Sequence, residues 1–154
     1  MKSLLVVFSY HHNNTDKVAN VFAEVLDAQI KTPQQVNPEE LQQYSLIGFG
    51  VGIDSGKHYK PLLDFAGRLP QVANQKAFIF STAGMKGENK AAKDHSALRE
   101  KLQAKGYVII GEFQCKGFNT NSFLKLFGGM NKGRPNDKDL LHAEEFAQNL
   151  KRTL

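Results

Sequence analysis

The chain has 154 residues, of which 41% are hydrophobic, and a single cysteine. This length and composition predict one globular domain over residues 1–154 and exclude an intrachain disulfide framework. The formal net charge is +5, but the basic residues are scattered and the aromatic residues lie mostly within apolar segments. We therefore expect no nucleic-acid partner and no membrane partner.

The amino-terminal apolar segment, residues 4–8, is far too short for a signal-peptide core or a membrane span. Cys115 is interpreted as a small buried apolar residue, which is typical of a protein in a reducing compartment. These two observations predict a cytoplasmic protein.

Strands and helices are expected to alternate along the chain. Nearly continuous apolar segments, typical of strands that are buried on both faces, occur at residues 4–8, 46–49, 77–80 and 108–110. Apolar residues with helical spacing occur at residues 18–26, 62–69, 98–102 and 143–150. A weaker, shorter strand is predicted at residues 28–31, where its length suits a sheet edge. The alternation predicts right-handed βαβ units and a parallel sheet.

Residues 117–136 form the longest stretch without clear periodicity, and they include several glycines. One interpretation is a functional loop that a ligand or partner orders. The other is a short irregular helix that tucks Phe123, Leu124, Leu126 and Phe127 under the sheet. The sequence does not separate the two.

The loop after the first strand contains polar groups that suit a phosphate. The loops that follow parallel strands meet at the carboxyl edge of the sheet, where ligands bind. This loop contains Ser9, His11, His12, Asn13, Asn14 and Thr15 and leads directly into a helix. Hydroxyls, amides and free N–H groups at a helix start bind phosphate. Ordinary helix capping by these residues is the open alternative.

Two further loops at the same edge have unusual compositions. Residues 50–59 contain several glycines, which allow a backbone to approach a flat ligand closely. Residues 81–87 combine small residues, hydroxyls and glycine. Together with the first loop, they predict a slot lined by backbone amides with a phosphate subsite at one end.

Several other kinds of site are not indicated by the sequence. It has no dinucleotide G-x-G-x-x-G, no P-loop and no G-x-S-x-G nucleophile motif. Its histidines lack ligand spacing to cysteine or carboxylates, so we expect no metal site. A phosphoacceptor module would need a carboxylate at the end of the first strand, which instead ends in Phe8-Ser9-Tyr10.

With these loops and the stretch at residues 128–137, the chain resembles the flavodoxin family, and most closely its short single-domain members, over essentially its whole length. The resemblance implies an α/β, three-layer, doubly wound fold whose five-stranded parallel sheet has the order 2-1-3-4-5. It also implies non-covalent FMN at the switch point, with the phosphate in the first loop and the ring between the second and third loops.

The resemblance assigns residues to each part of the cofactor. The phosphate would be held by Ser9, His11, His12, Asn13, Asn14 and Thr15. The ring would be framed by Gly52, Ile53, Asp54, Ser55, Gly56, Ser81, Thr82, Ala83, Gly84 and Met85. The first loop departs from the family pattern, because it is longer and has the histidine pair and two asparagines in place of glycine. Family members often stack a tryptophan on the ring; this chain has none, and the available substitutes are His58, Tyr59, Met85 and Phe118.

The function that the resemblance implies is electron transfer between redox partners through bound FMN. An FMN-dependent NAD(P)H:quinone-type reductase is the alternative, but the sequence has no second nucleotide signature. Familiar flavodoxins are acidic, whereas this chain is basic. We expect Lys57, Lys86, Lys116 and Lys132 to surround the flavin edge, raise the second reduction potential and select redox proteins with an acidic docking face. The expected state is a monomer or weak dimer.

Overall fold

The computed structural model describes residues 2–8, 14–53, 60–83, 95–116 and 135–154. The strands are β1 (Ser3–Phe8), β2 (Ala28–Lys31), β3 (Leu46–Ile53), β4 (Gln75–Ala83) and β5 (Tyr107–Lys116). The α-helices of the described residues are α1 (Asn14–Leu26), α2 (Lys60–Gly67), α3 (Ser96–Ala104) and α4 (Asp137–Arg152). Two short 3₁₀ helices, Pro33–Gln35 and Pro38–Gln43, connect β2 to β3.

The five strands form one sheet in the order β2-β1-β3-β4-β5, and every pairing is parallel. This confirms the predicted fold class and strand order. The short strand predicted at residues 28–31 is β2, and it lies at a sheet edge as expected. Because all strands run in one direction, their carboxyl ends meet at a single edge.

Helices cover both faces of the sheet, which gives three layers. On one face, α2, α3 and the 3₁₀ helices bury residues such as Leu41, Phe65 and Leu98 against the strands. On the other face, α1 and α4 bury residues such as Phe22 and Ala143. Burial on both faces explains why the strands are continuously apolar in sequence. Among the described residues, no helix is long and apolar enough to cross a membrane.

Two glycines in β3 make room for aromatic rings on the α1 face. Gly48 pairs with Phe78 of β4, and Gly50 pairs with Phe80. A Cβ atom at Gly48 would lie 2.5 Å from Cζ of Phe78, and one at Gly50 would overlap the Phe80 ring. Phe22 of α1 then packs edge-on against both rings, at centroid distances of 5.6 and 4.9 Å. Close packing therefore accounts for these two glycines.

The strands extend further toward the carboxyl edge than the apolar pattern predicted. β3 continues to Ile53, so the expectation that a loop begins at Gly50 is wrong. β4 likewise continues through Ala83, so Ser81 lies in the strand and the third loop was placed too early. The physical reason is that the backbone ladder of β3, β4 and β5 continues through glycine and polar residues that interrupt the apolar pattern.

The stretch from residue 117 to residue 136 is described only at its end. Asn136 and Asp139 form a reciprocal capping box that starts α4: Oδ1 of Asn136 accepts from the Asp139 N–H at 3.0 Å, and Oδ2 of Asp139 accepts from the Asn136 N–H at 2.9 Å. The two interpretations of residues 117–134 lie outside the described residues. Cys115, near the end of β5, is buried, as the sequence predicted.

Candidate functional site

The sheet has a topological switch point between β1 and β3. The chain passes from β1 to β2 on one side and then returns to place β3 on the other side of β1. At such a point the connections leave in opposite directions, which opens a crevice at the carboxyl edge. Helix α1 begins at Asn14, shortly after β1 ends at Phe8, so its amino terminus lies at this edge. Free N–H groups of the first helical turn suit an anionic group there.

A hydroxyl pair joins α1 to the end of β4. Oγ1 of Thr15 and Oγ1 of Thr82 lie 3.0 Å apart, and both residues are buried. Thr82 pairs across the ladder with Gly52 of β3, which is half-buried. Residues from all three predicted loops are thus neighbours at one place: Thr15, Gly52 and Thr82.

Ser81, the neighbour of Thr82, is held on the opposite face of the sheet by a histidine. Oγ of Ser81 lies 2.6 Å from Nε2 of His95, the residue that precedes α3. The other ring nitrogen, Nδ1, lies 2.9 Å from Oε1 of Glu112 on β5. Successive side chains of a strand point to opposite faces. Thr82 therefore contacts α1 on one face of the sheet, while Ser81 contacts His95 on the other.

An arginine completes this arrangement. Arg99 of α3 donates from Nε to Oε2 of Glu112 at 2.9 Å and from Nη2 to Oε1 at 2.8 Å. This two-pronged contact is the strong form of a charge-assisted hydrogen bond. Burial raises the pKa of the Glu112 carboxyl, but the hydrogen bonds from Arg99 and His95 and the positive charge of Arg99 outweigh burial and leave that pKa below its usual value. Glu112 is therefore a carboxylate at neutral pH.

Gln114 extends the same group of side chains. Its Nε2 donates to Oγ of Ser81 at 3.1 Å. We call Ser81, His95, Arg99, Glu112 and Gln114 the His95 cluster. Its serine, histidine and carboxylate contact one another in the order found in hydrolases. However, Ser81 has no solvent-exposed surface, so its hydroxyl does not face a substrate carbonyl, and the arrangement is not that of a nucleophile.

The structure describes part of the site that the sequence predicted. Thr15, Gly52, Ser81 and Thr82 are described in full, and the backbone alone is described for Asn14, Ile53 and Ala83. The remaining predicted residues lie outside the described residues: Ser9, His11, His12, Asn13, Asp54, Ser55, Gly56, His58, Tyr59, Gly84, Met85 and Phe118. Their assignments stay predictions.

The sequence reasoning missed the His95 cluster apart from Ser81. A signal was present in β5, where Glu112 and Gln114 alternate with Phe113 and Cys115 near the end of the strand. A second signal was the spacing of four between His95 and Arg99, which puts both on one face at the start of a helix. Only the fold shows that these two signals meet.

The described residues fit a phosphorylated flat cofactor. A helix amino terminus and buried threonine hydroxyls lie beside the small residues Gly52 and Ser81 at adjoining strand ends. Backbone N–H groups and hydroxyls are the donors that a phosphate takes. Over the described ranges, no group of three or more histidine, cysteine, aspartate or glutamate side chains is arranged to hold a metal ion.

Comparison with known proteins points to one family. Residues 5–149 match the family model described as Flavodoxin domain. An uncharacterized protein of Methanocaldococcus jannaschii is 45% identical over 150 residues, which cover 97% of this chain and 98% of that protein. The match therefore extends over nearly the full length of both proteins.

Solved structures share the fold at low sequence identity. The oxidised Flavodoxin 2 of Bacillus cereus superimposes with a TM-score of 0.73 at 15% identity, covering 100% of each chain. A flavodoxin from the domain Archaea gives a TM-score of 0.69 at 18% identity, covering 99% of this chain and 98% of the other. At these identities the likeness concerns the fold alone.

Proposed function

Because the chain belongs to the flavodoxin domain family, we propose that it binds FMN at the carboxyl edge of the sheet and carries electrons between redox partners. When bound, the flavin supplies the redox chemistry, and the protein supplies binding, orientation and electrostatics. We assign the phosphate to the amino terminus of α1 and the ring to the ends of β3 and β4.

The observation that carries this proposal is the contact between Thr15 and Thr82. Their hydroxyls, 3.0 Å apart, fix the amino terminus of α1 against the end of β4 at the switch point. A phosphate beside α1 and a ring beside Gly52 and Thr82 would then belong to one continuous ligand. The contact sets the relation between the two subsites before the ligand binds.

A titration of the flavin-free protein tests this proposal. We expect FMN to bind with a shifted visible spectrum and at least about tenfold more tightly than riboflavin, which lacks the phosphate. Thr15→Val should weaken FMN binding about tenfold and riboflavin binding much less. The matched control is Thr153→Val, because the Thr153 hydroxyl donates to the Leu150 carbonyl at the end of α4. A protein that stays colourless with excess FMN contradicts the proposal.

The same preparation distinguishes a carrier from an enzyme. A carrier is reduced by another redox protein, whereas an NAD(P)H-dependent reductase would be bleached rapidly by NADH or NADPH alone. We propose the carrier because the sequence has no second nucleotide signature. Rapid bleaching by either nucleotide would favour the reductase.

We propose further that the redox partners present an acidic face and that the protein acts in the cytoplasm as a monomer or weak dimer. The net charge of +5 supports an acidic partner. Lys116 ends β5 at the carboxyl edge, while Lys57, Lys86 and Lys132 lie outside the described residues. Charges near the flavin should raise its second reduction potential on the order of tens of millivolts, less at high salt. A potential independent of salt contradicts this.

A further inference from the structure

The His95 cluster contains five polar side chains, of which only Ser81 was predicted from the sequence as a flavin-site residue. We propose that His95 is a positioning residue that orients the Ser81 hydroxyl and holds the end of β4 in the shape that accepts the flavin ring. This inference rests on the proposed function, since it concerns the same edge of the sheet.

The hydrogen bonds of the cluster run in one direction. Arg99 donates to both oxygens of Glu112, which as a carboxylate only accepts. Nδ1 of His95, 2.9 Å from Glu112, must therefore carry the proton. A neutral imidazole with a proton on Nδ1 leaves Nε2 as an acceptor.

The acceptor atom Nε2 of His95 determines the orientation of the Ser81 hydroxyl. Because Nε2 of His95 accepts, the Ser81 hydroxyl donates to it across 2.6 Å. The lone pairs of the Ser81 oxygen then face Gln114, whose Nε2 donates at 3.1 Å. The charge pair on α3 and β5 thus determines, through His95, the direction of a hydroxyl at the flavin edge.

Burial keeps this orientation fixed. His95 and Ser81 have no exposed surface, whereas the Arg99 side chain is 23% exposed. Inside a protein, the alternative orientation would leave polar groups unpaired, which is costly. A partly buried ion pair such as Arg99 and Glu112 adds little net stability compared with apolar packing, so geometric specificity is the more consistent role.

An extra residue in β5 turns the Glu112 and Gln114 side chains toward His95. β4 residues 77 and 78 pair with β5 residues 109 and 111, so Ile110 is an extra residue in the ladder. Tyr107 packs on the α3 face, and without the extra residue this face would continue through residues 109, 111 and 113. The extra residue instead brings Glu112 and Gln114 to the α3 face and places Phe113 in the opposite core.

Two substitutions of His95 separate its two hydrogen bonds. In His95→Asn the side-chain amide keeps a donor near the Nδ1 position for Glu112 but has no group at the Nε2 position. In His95→Gln the longer side chain can reach Ser81 again. We expect His95→Asn to weaken FMN binding about tenfold and His95→Gln to recover most of the affinity. Ser81→Ala, which breaks the same bond by removing one oxygen, should match His95→Asn.

The control is Leu102→Val, which removes one buried methylene from the other end of α3 and leaves every contact of the His95 cluster in place. It should lower the thermal midpoint while leaving FMN affinity within about twofold. If Leu102→Val weakens FMN binding as much as His95→Asn does, the cluster acts through general stability and the proposal is overturned. It is also overturned if His95→Asn and Ser81→Ala bind FMN as the wild type does.

A second readout needs no flavin. Nitrogen-15 NMR of the flavin-free full chain at pH 7 should show His95 as a neutral ring with its proton on Nδ1. A proton on Nε2 overturns the proposal. If the wild-type protein binds no FMN, both the proposed function and this inference are contradicted. If the wild-type protein binds FMN and the variants bind it equally well, only this inference is contradicted.

Discussion

Thr15 and Thr82 lie 67 residues apart in sequence, and their hydroxyl oxygens lie 3.0 Å apart in a buried contact. One residue belongs to the first turn of α1 and the other to the end of β4. Neither hydroxyl could be left without a partner in this environment at low cost. The hydroxyl pair therefore links α1 directly to β4, a strand with which α1 shares no backbone hydrogen bonds.

The threonine pair should show a measurable coupling energy. Thr15→Val and Thr82→Val should each lower the free energy of unfolding by about 1–2 kcal/mol, because each leaves one buried hydroxyl unpaired. The double variant should lose less than the sum, with a coupling of about 1 kcal/mol. Chemical denaturation of the four flavin-free proteins measures this. Strict additivity would show that the two hydroxyls do not interact.

Acid should weaken the fold through Glu112. Its pKa is lowered in the folded protein, so the unfolded chain takes up a proton first as the pH falls. The stabilisation is present above the usual glutamate pKa of 4.5 and is lost as the pH falls through the folded value. In Glu112→Gln the part of the stability loss in acid that Glu112 causes should disappear. Thermal midpoints between pH 7 and pH 3 provide the measurement, and parallel curves for both proteins would refute the assignment.

Alkali should weaken the fold through Tyr107. Burial raises the pKa of this phenol to about 12, so the unfolded chain loses its proton first as the pH rises. Stability should be complete below about pH 10 and fall as the pH approaches 12. Tyr107→Phe should reduce this loss of stability in alkali, and denaturant midpoints measured between pH 10 and pH 12 provide the test. Equal alkaline slopes in the two proteins would argue against it.

The same variant should not destabilise the protein at neutral pH. The Tyr107 hydroxyl is buried and has no hydrogen-bond partner among the described residues. Its ring packs edge-on against Phe49 at 5.8 Å, a contact that phenylalanine preserves. We expect Tyr107→Phe to raise the free energy of unfolding at pH 7 by about 1 kcal/mol or less. A clear loss would mean that the hydroxyl is hydrogen-bonded.

Gly50→Ala should disturb the aromatic packing on β3. The added methyl group would overlap the Phe80 ring, and we expect a loss of about 1–3 kcal/mol. Gly67→Ala is the control, because a Cβ atom there meets only Nζ of Lys101, at 3.9 Å. Gly67 ends α2, so alanine should be neutral or slightly stabilising. Denaturation of both variants tests the difference, and equal stabilities would show that the rings move aside freely.

The sequence predicted the layers and strand order well, because continuous apolar segments and helical spacing are strong signals of buried strands and amphipathic helices. Even the short β2 was found at its true position. The predicted carboxyl ends of the strands were wrong: Gly50 and Ser81 resemble loop residues, but the backbone ladder continues through them and the residues that follow.

The chemistry of the candidate site was harder to predict than its position. Thr15, Gly52 and Thr82 were assigned to three loops, and the structure brings them together because those loops meet at one edge. His95, Arg99 and Glu112 were not assigned to the site. Their contacts depend on how α3 lies across β4 and β5, which residue patterns along one element do not contain.

The extra residue in β5 also bears on how this strand can change in evolution. A deletion of one residue between Tyr107 and Gly111 would exchange the two faces of everything that follows in the strand. Glu112 would then enter the phenylalanine core around Phe22 and Phe146, and Phe113 would face the charge of Arg99. Relatives that keep this carboxylate must therefore keep the spacing of β5 as well, so its length is inherited together with its chemistry.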